Sequence, residues 1–231
     1  MSVACRILLG SLDSLGGGIP IACFVVHHGV RIPVTHFRLN RLEVPNLIVR
    51  GYYVMANFDG CINWVLRFED STLSGRVVVL ADGAGRTRFG IAEKDHPGLP
   101  GDFYMTDAAS ALVIAKAIYR AQYWNPLCGD SLVCDELAAS LLSFAVNDGE
   151  RFDAKMFQRI LGITPDGCIG PATVAAANAA NGSTLAAALR TAQAAHYRAV
   201  AVANPSEAQY LGSVNPPRGW LGRAAAIYTG T

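Results

Sequence analysis

The sequence is short of charged residues, and the two signs nearly cancel. Only 16% of its 231 residues are charged, and 19 basic against 18 acidic side chains give a formal net charge of +1. A nucleic-acid-binding surface requires a basic excess, so we expect no nucleic-acid partner. The 52% of apolar residues and the chain length predict one large or two small domains with a substantial core.

Long apolar runs are also missing. Leu8-Leu9 and the run from 21 to 26 are too short to span a bilayer, so we expect no membrane partner. A signal peptide needs one continuous apolar core, whereas Asp13 and the glycines at 16–18 interrupt this one. The sequence therefore predicts no signal peptide and a protein made in the cytoplasm.

The six cysteines form no dense disulfide framework, and a chain of this size can fold without one. We expect mostly free thiols, with a pairing of Cys128 and Cys134 across a loop as the alternative. A metal site would need closely paired ligands, and the amino-terminal candidates do not provide them. The sequence predicts no metal and no cofactor. The candidates in question are Cys23, His27, His28 and His36.

Residues 58–69 have the apolar periodicity of an amphipathic helix, with Phe58, Ile62 and Val65 on one face. Glu69 falls at the end of that face. A carboxyl surrounded by apolar groups is favoured in its protonated form, which a general acid requires. The alternative is a glutamate at a helix end that points into water.

A second polar stretch follows, with Asp82 and Thr87 around two glycines that permit a tight reversal. The alternation from 86 to 91 predicts one strand of a hairpin beside the helix. Such a hairpin would place a carboxylate and a hydroxyl opposite Glu69. Glycoside hydrolysis needs an acid on one side of the scissile bond and a carboxylate or an oriented water on the other.

This order of motifs resembles the endolysin-type muramidases of glycoside hydrolase family 108. The shared features are Phe-Asp…Val-Leu…Glu, followed by Asp-x-Gly/Ala-Gly-x-Thr-x-Phe-Gly-Ile. The sequence departs from the family in having Asp70-Ser71 where two glycines follow the glutamate, and Ala84 in place of a glycine.

The resemblance implies hydrolysis of the β-1,4 bond between N-acetylmuramic acid and N-acetylglucosamine in peptidoglycan, in the setting of phage or prophage lysis of a bacterial cell wall. Glu69 would be the general acid. Asp82 would stabilise the developing positive charge or activate water, and Thr87 would orient that water.

Candidate substrate-binding residues follow on two predicted helices. Thr106-Asp107 is a capping signal for a helix over about 107–122, with the Thr106 hydroxyl expected to accept an early backbone N–H. This helix leads into Tyr123 and Trp124. Aromatic rings stack on sugars, but they also anchor cores. A second helix over 132–147 ends at Asn147, which either reaches the cleft or caps the helix. The resemblance to the family includes the residues at the ends of both helices, namely Tyr123-Trp124 and Asn147.

The last third of the sequence resembles helical peptidoglycan-binding modules. The similarity rests on Phe157-Gln158, Asp166-Gly167, Gly170-Pro171 and the closing stretch from Arg218 to Arg223. We predict a mainly α (α+β, lysozyme-like) monomer that binds peptidoglycan glycan strands. We divide it into residues 1–54, an extension or a β appendage; 55–150, the catalytic domain; and 151–231, the helical module. A lytic transglycosylase and a non-catalytic wall-binding protein are the alternatives.

Overall fold

The computed structural model describes residues 23–27, 30–34, 55–80, 85–99 and 103–230. The chain divides into two compact units, Met1–Gly51 and Tyr52–Thr231. In the first unit, β1 (Cys23–His27) and β2 (Val30–Val34) pair antiparallel.

The second unit combines α-helices with a small antiparallel sheet, which confirms the predicted fold class. The sheet has the order β3-β4-β5. In chain order the elements of this unit are α1 (Phe58–Glu69), β3 (Val78–Leu80), β4 (Gly85–Arg88), β5 (Ile91–Ala92), α2 (Ala108–Tyr119), α3 (Asp135–Asp148), α4 (Glu150–Ile160), α5 (Pro171–Ala179), α6 (Gly182–Ala203) and α7 (Gly219–Ala225).

Helix α1 has the predicted bounds, and its ends have clear causes. The Asn57 side chain accepts a hydrogen bond from the Gly60 N–H at 3.2 Å, which satisfies one of the free donors of the first turn. On its apolar face Ile62, Val65 and Leu66 are fully buried, and Phe58 is half-buried. After Glu69 the backbone turns extended at Asp70. The helix therefore delivers Glu69 to the edge of the core.

The hairpin differs from the expected single strand over 86–91. That run is two short strands, because Phe89 and Gly90 both have positive φ and reverse the chain between β4 and β5. The alternation of residues could not distinguish a strand from a strand pair that reverses within two residues. Thr87 thus lies in the central strand, paired with Val78 and Ala92.

Helix α2 begins after Asp107, whose side chain accepts from the Ser110 N–H at 2.9 Å, so the cap is this carboxylate and not the Thr106 hydroxyl that the sequence predicted. It passes into a π-helical turn, Arg120–Trp124. Helix α3 starts later than predicted. The Val133 N–H donates to Asn178 Oδ1 at 3.1 Å, which holds the preceding backbone outside the helix.

One apolar core runs through the second unit. It includes the buried faces of α1 and α3 together with Phe157 of α4, Leu189 of α6 and Ala224 of α7. Cys61, Cys128, Cys134 and Cys168 are free thiols. Among the residues that the structure describes, no helix has both the length and the apolar character to cross a membrane.

Candidate active site

The Glu69 carboxyl lies where the end of α1 meets helix α7, not in the apolar surroundings that the sequence suggested. Arg223 Nη2 donates to Glu69 Oε1 at 2.6 Å. The Glu69 side chain is 23% exposed and that of Arg223 is 11% exposed. The carboxyl is therefore ion-paired, on a side chain that keeps part of its surface exposed.

The β4–β5 turn closes over the same carboxyl. A Cβ at Gly90 would come within 2.9 Å of Glu69 Cγ, 3.0 Å of Glu69 Oε2 and 2.7 Å of Tyr119 Oη. Since Gly90 also has a φ of +77°, a side chain there would be strained and would collide with the carboxyl. Gly90 thus permits the hairpin to approach Glu69 closely.

Tyr119 holds the β4–β5 turn in place through a hydrogen bond. Its hydroxyl donates to the Phe89 carbonyl at 2.9 Å, and its ring is buried. Burial, with the neighbouring Glu69 and Tyr123, raises the pKa of the Tyr119 phenol. The phenol therefore stays protonated and keeps the hydrogen bond that holds the turn beside Glu69.

Thr87 and Asp82 were predicted to face Glu69. Thr87 is half-buried in β4. It lies on the face of the sheet opposite Arg88, since neighbouring residues in a strand alternate. Arg88 is buried and donates to the carbonyls of Gly75, Phe103 and Thr106. Asp82 lies outside the described residues, in the stretch between β3 and β4, so its catalytic role stays a prediction.

The departure from the family pattern at Asp70-Ser71 has a local explanation. The Asp70 carboxylate accepts from the Gly75 N–H at 2.7 Å and from the Ser74 hydroxyl at 3.2 Å. Although partial burial acts to raise it, these hydrogen bonds hold the pKa of Asp70 below its usual value. The carboxylate thus organises the loop after α1, and the φ of −143° at Asp70 needs no glycine.

The two aromatic candidates have different positions. The Tyr123 ring is half-buried and lies 5.7 Å from that of Tyr119. Burial, followed by the nearby Glu150 and Glu69, raises the pKa of its phenol. Trp124 is fully buried, and its indole Nε1 donates to Asp130 Oδ1 at 2.8 Å. A buried ring offers no face to a sugar, so Trp124 belongs to the core and the stacking role does not fit it.

Asn147 is half-buried and contacts Arg223, the partner of Glu69. Its Oδ1 accepts from Arg223 Nη1 at 3.2 Å, and its Nδ2 donates to the Tyr197 hydroxyl at 2.8 Å. Arg223 Nε also donates to the buried Ser143 hydroxyl at 3.1 Å. Asn147 was expected to reach the substrate cleft beside Glu69. It is instead linked to the Glu69 carboxyl through Arg223.

Helix α4 carries a buried carboxyl, Asp153. It is fully buried, and neither of its oxygens has a hydrogen-bond partner. Burial, with the neighbouring Asp148 and Glu150, raises the pKa of Asp153 to about 9. The folded protein therefore holds Asp153 protonated at neutral pH, whereas the unfolded chain loses that proton at about pH 3.9.

We expect Asp153→Asn to be more stable than the wild type at neutral pH, because asparagine has no proton to lose on unfolding. A raised carboxyl pKa gives stability that is complete below about pH 3.9 and declines as the pH rises towards about 9. The difference in unfolding free energy between the variant and the wild type should begin to grow near pH 4. It should reach at most about 4 kcal/mol near pH 7. Urea unfolding of both proteins across this range measures it, and a pH-independent difference contradicts the assignment.

Sequence reasoning missed the partners of Glu69. Neither Tyr119 nor Ser143 was among the site residues that the sequence predicted. Arg223 had been seen in the closing motif of the last third, but nothing in its spacing relates it to a residue 154 positions away.

Comparisons with known proteins agree with the motifs. Residues 63–149 match the family model described as Glycosyl hydrolase 108. Residues 153–225 match the one described as Predicted Peptidoglycan domain. No curated protein matches the chain.

A solved structure titled "Structure of Brucella abortus SagA" has the same fold, with a TM-score of 0.53 and 24% sequence identity. The match covers 74% of this chain and 95% of that one. The resemblance seen in the motifs is thus confirmed: residues 63–149 match glycosyl hydrolase 108 and residues 153–225 match a predicted peptidoglycan domain, and these matches support a lysozyme-type glycoside hydrolase that acts on peptidoglycan.

Proposed function

We propose that the protein is a muramidase, which hydrolyses the β-1,4 bond between N-acetylmuramic acid and N-acetylglucosamine, with Glu69 as the general acid. The observation that carries the proposal is the position of Glu69. Within the glycosyl hydrolase 108 match, its carboxyl is held by Arg223 on one side and by the hairpin turn at Gly90 on the other. A fixed carboxyl at a partly open junction is what protonation of a leaving oxygen requires.

In the proposed reaction Glu69 gives its proton to the glycosidic oxygen as the bond from the anomeric carbon breaks. The bonding electron pair goes to that oxygen, and positive charge develops on the ring. Asp82 would stabilise this charge or take a proton from the attacking water, and Thr87 would orient that water. Tyr123, half-buried beside Tyr119, is the remaining aromatic candidate for sugar contact. The setting that we propose is phage or prophage lysis of the cell wall.

Thr87→Val tests the water-orienting role, because valine preserves the shape of the side chain and removes the hydroxyl. We expect turnover on soluble peptidoglycan fragments to fall about tenfold or more, with little change in wall binding, since the water is used in the transition state. Thr87→Ser is the control that keeps the hydroxyl. Turnover of the valine variant equal to the wild type would remove Thr87 from the mechanism.

A lytic transglycosylase is the second candidate. It needs one acid, and the muramyl 6-hydroxyl replaces water as the nucleophile. Of the described groups that face Glu69, namely Arg223, Tyr119 and Tyr123, none is a second carboxylate, which suits a reaction that needs no base for water.

Product analysis tests the proposal. Purified cell walls are digested, and the fragments are reduced with borohydride and identified by mass spectrometry. A muramidase gives reduced muramic acid ends, a glucosaminidase gives reduced glucosamine ends, and a transglycosylase gives anhydro ends that resist reduction. Walls that bind the protein but release no fragments would indicate a non-catalytic wall-binding protein.

A further inference from the structure

We propose that Arg223 is a positioning residue for Glu69, so that the segment matching the predicted peptidoglycan domain completes the catalytic site. The inference rests on the proposed function, because it gives Arg223 a task only if Glu69 is the acid. It assigns to the last third of the chain a part in the chemical step, beyond any part in holding the wall.

The guanidinium of Arg223 is fixed through all three of its nitrogens. Nη2 donates to Glu69 Oε1 at 2.6 Å, Nη1 to Asn147 Oδ1 at 3.2 Å and Nε to Ser143 Oγ at 3.1 Å. Its carbon lies 5.0 Å from the centre of the Phe68 ring. A planar group held at every nitrogen has little freedom to rotate, so it fixes the orientation of the carboxyl that it contacts.

The backbone that carries Arg223 is itself anchored. Trp220, three residues earlier and on the same side of α7, stacks on Tyr197 of α6 with ring centres 5.2 Å apart. The Tyr197 hydroxyl accepts from Asn147 and from Gln193, so α3, α6 and α7 share one polar network. The closing Gly-Trp-x-x-Arg stretch thus consists of an anchor and the arginine that it delivers.

The end of the chain is anchored a second time, on α1. Tyr228 packs edge-on against Trp64 of that helix at 6.0 Å. A Cβ at Gly60 would lie only 2.5 Å from the Tyr228 hydroxyl. Helix α1, which carries Glu69, and the segment that carries Arg223 are thereby in contact at a second place besides the ion pair.

This geometry gives the two carboxyl oxygens different tasks. Oε1 is occupied by Arg223, so the proton to be transferred sits on Oε2, which faces the Gly90 turn. When Oε2 releases its proton to the glycosidic oxygen, the carboxylate that forms is already paired with a cation. The arginine therefore favours the transition state, in which that negative charge is developing.

The charged and titratable groups around Glu69 come from several elements. Arg223 of α7 is the cation in contact with it. Tyr119 of α2 and Tyr123 of the π-helical turn lie close enough to have their pKa values raised by it. The adjacent Asp70 is held by the loop that follows. Removal of Arg223 leaves no other cation in contact among the described residues.

The test compares Arg223→Met and Arg223→Lys with a matched control, Arg190→Met. Arg190 pairs with Glu136 at 2.8 Å, and these side chains are 12% and 19% exposed, against 11% and 23% for the Arg223 pair. Both pairs join the last third of the chain to the glycosyl hydrolase 108 segment. Only the Arg223 pair includes the proposed acid, so the control measures what the loss of any such ion pair does.

For Arg223→Met we expect turnover on soluble peptidoglycan fragments to fall about 10- to 100-fold, with KM little changed. Arg223→Lys, which restores the charge but not the planar contacts, should recover part of the lost turnover. Arg190→Met should keep the wild-type turnover.

Wild-type turnover in Arg223→Met, or equal losses in Arg223→Met and Arg190→Met, would overturn the inference. Glu69→Gln, measured in the same assay, separates a failure of this inference from a failure of the proposed function. If that variant is inactive while Arg223→Met behaves as the wild type, the inference alone fails. If Glu69→Gln is fully active, the proposed function fails, and the positioning role fails with it.

Discussion

Replacing Glu69 by glutamine is expected to lower the rate of cell-wall solubilisation by about two to four orders of magnitude. Glutamine has nearly the same shape, and its carbonyl oxygen can still accept from Arg223, but it has no acidic proton for the leaving oxygen. The loss should appear in turnover and not in wall binding. A turbidity assay on walls, with a pull-down of the protein on the same walls, measures both.

Glu136→Gln is the matched control for this experiment. Glu136 also accepts from an arginine of the last third of the chain, and its side chain is 19% exposed, close to the 23% of Glu69. It should keep wild-type lysis, because it is not the proposed acid. A Glu69 variant that lysed walls as fast as the Glu136 variant would show that another group supplies the proton.

Deleting residues 151–231 is expected to abolish both activity and soluble folding. Helix α3 is buried along most of its length, and part of what covers it is the core supplied by later helices, including Phe157 and Leu189. Their loss would expose a large apolar surface and remove Arg223 from Glu69. Soluble yield, the thermal unfolding transition and turbidity clearance of the shortened chain measure the effect.

Deleting residues 1–54 provides the contrasting case. Residues up to Gly51 form a separate compact unit, so a chain that begins at Met55 should stay soluble and keep its activity. Insolubility of this chain would indicate that the amino-terminal unit covers apolar surface.

For the deletion of residues 151–231, the contradicting result is a soluble and active chain of residues 1–150. It would show that the catalytic part folds without the helices that follow.

The parts of the fold that depend on local sequence could be predicted well. Helix α1 has the bounds that its apolar periodicity gave, because one capping side chain and one buried face determine it. The start of α2 at the Thr106-Asp107 signal was predicted for the same reason, although the capping group is the Asp107 carboxylate and not the Thr106 hydroxyl. The hairpin was misjudged where Phe89 takes a positive φ, since a buried phenylalanine carries no local sign of a left-handed backbone.

The candidate site was predictable only as far as its own segment. Glu69 and Thr87 could be proposed from neighbouring residues. The contact between Glu69 and Arg223 joins positions 154 apart, and such a pairing is decided by how helices pack, on which periodicity says nothing. Trp124 shows the same limit, because its sequence neighbours do not reveal that its ring is fully buried.

Hydrolysis by an acid at Glu69 is tested most directly by the origin of the oxygen at the new sugar end. Walls are digested in water enriched in heavy oxygen, and the masses of the released fragments are compared with those from ordinary water. A muramidase adds one water-derived oxygen at the anomeric carbon of each new muramic acid end, and Glu69→Gln should form no such ends. Fragments that carry no heavy oxygen and end in anhydro rings would contradict the account, because the nucleophile would then be the sugar's own hydroxyl.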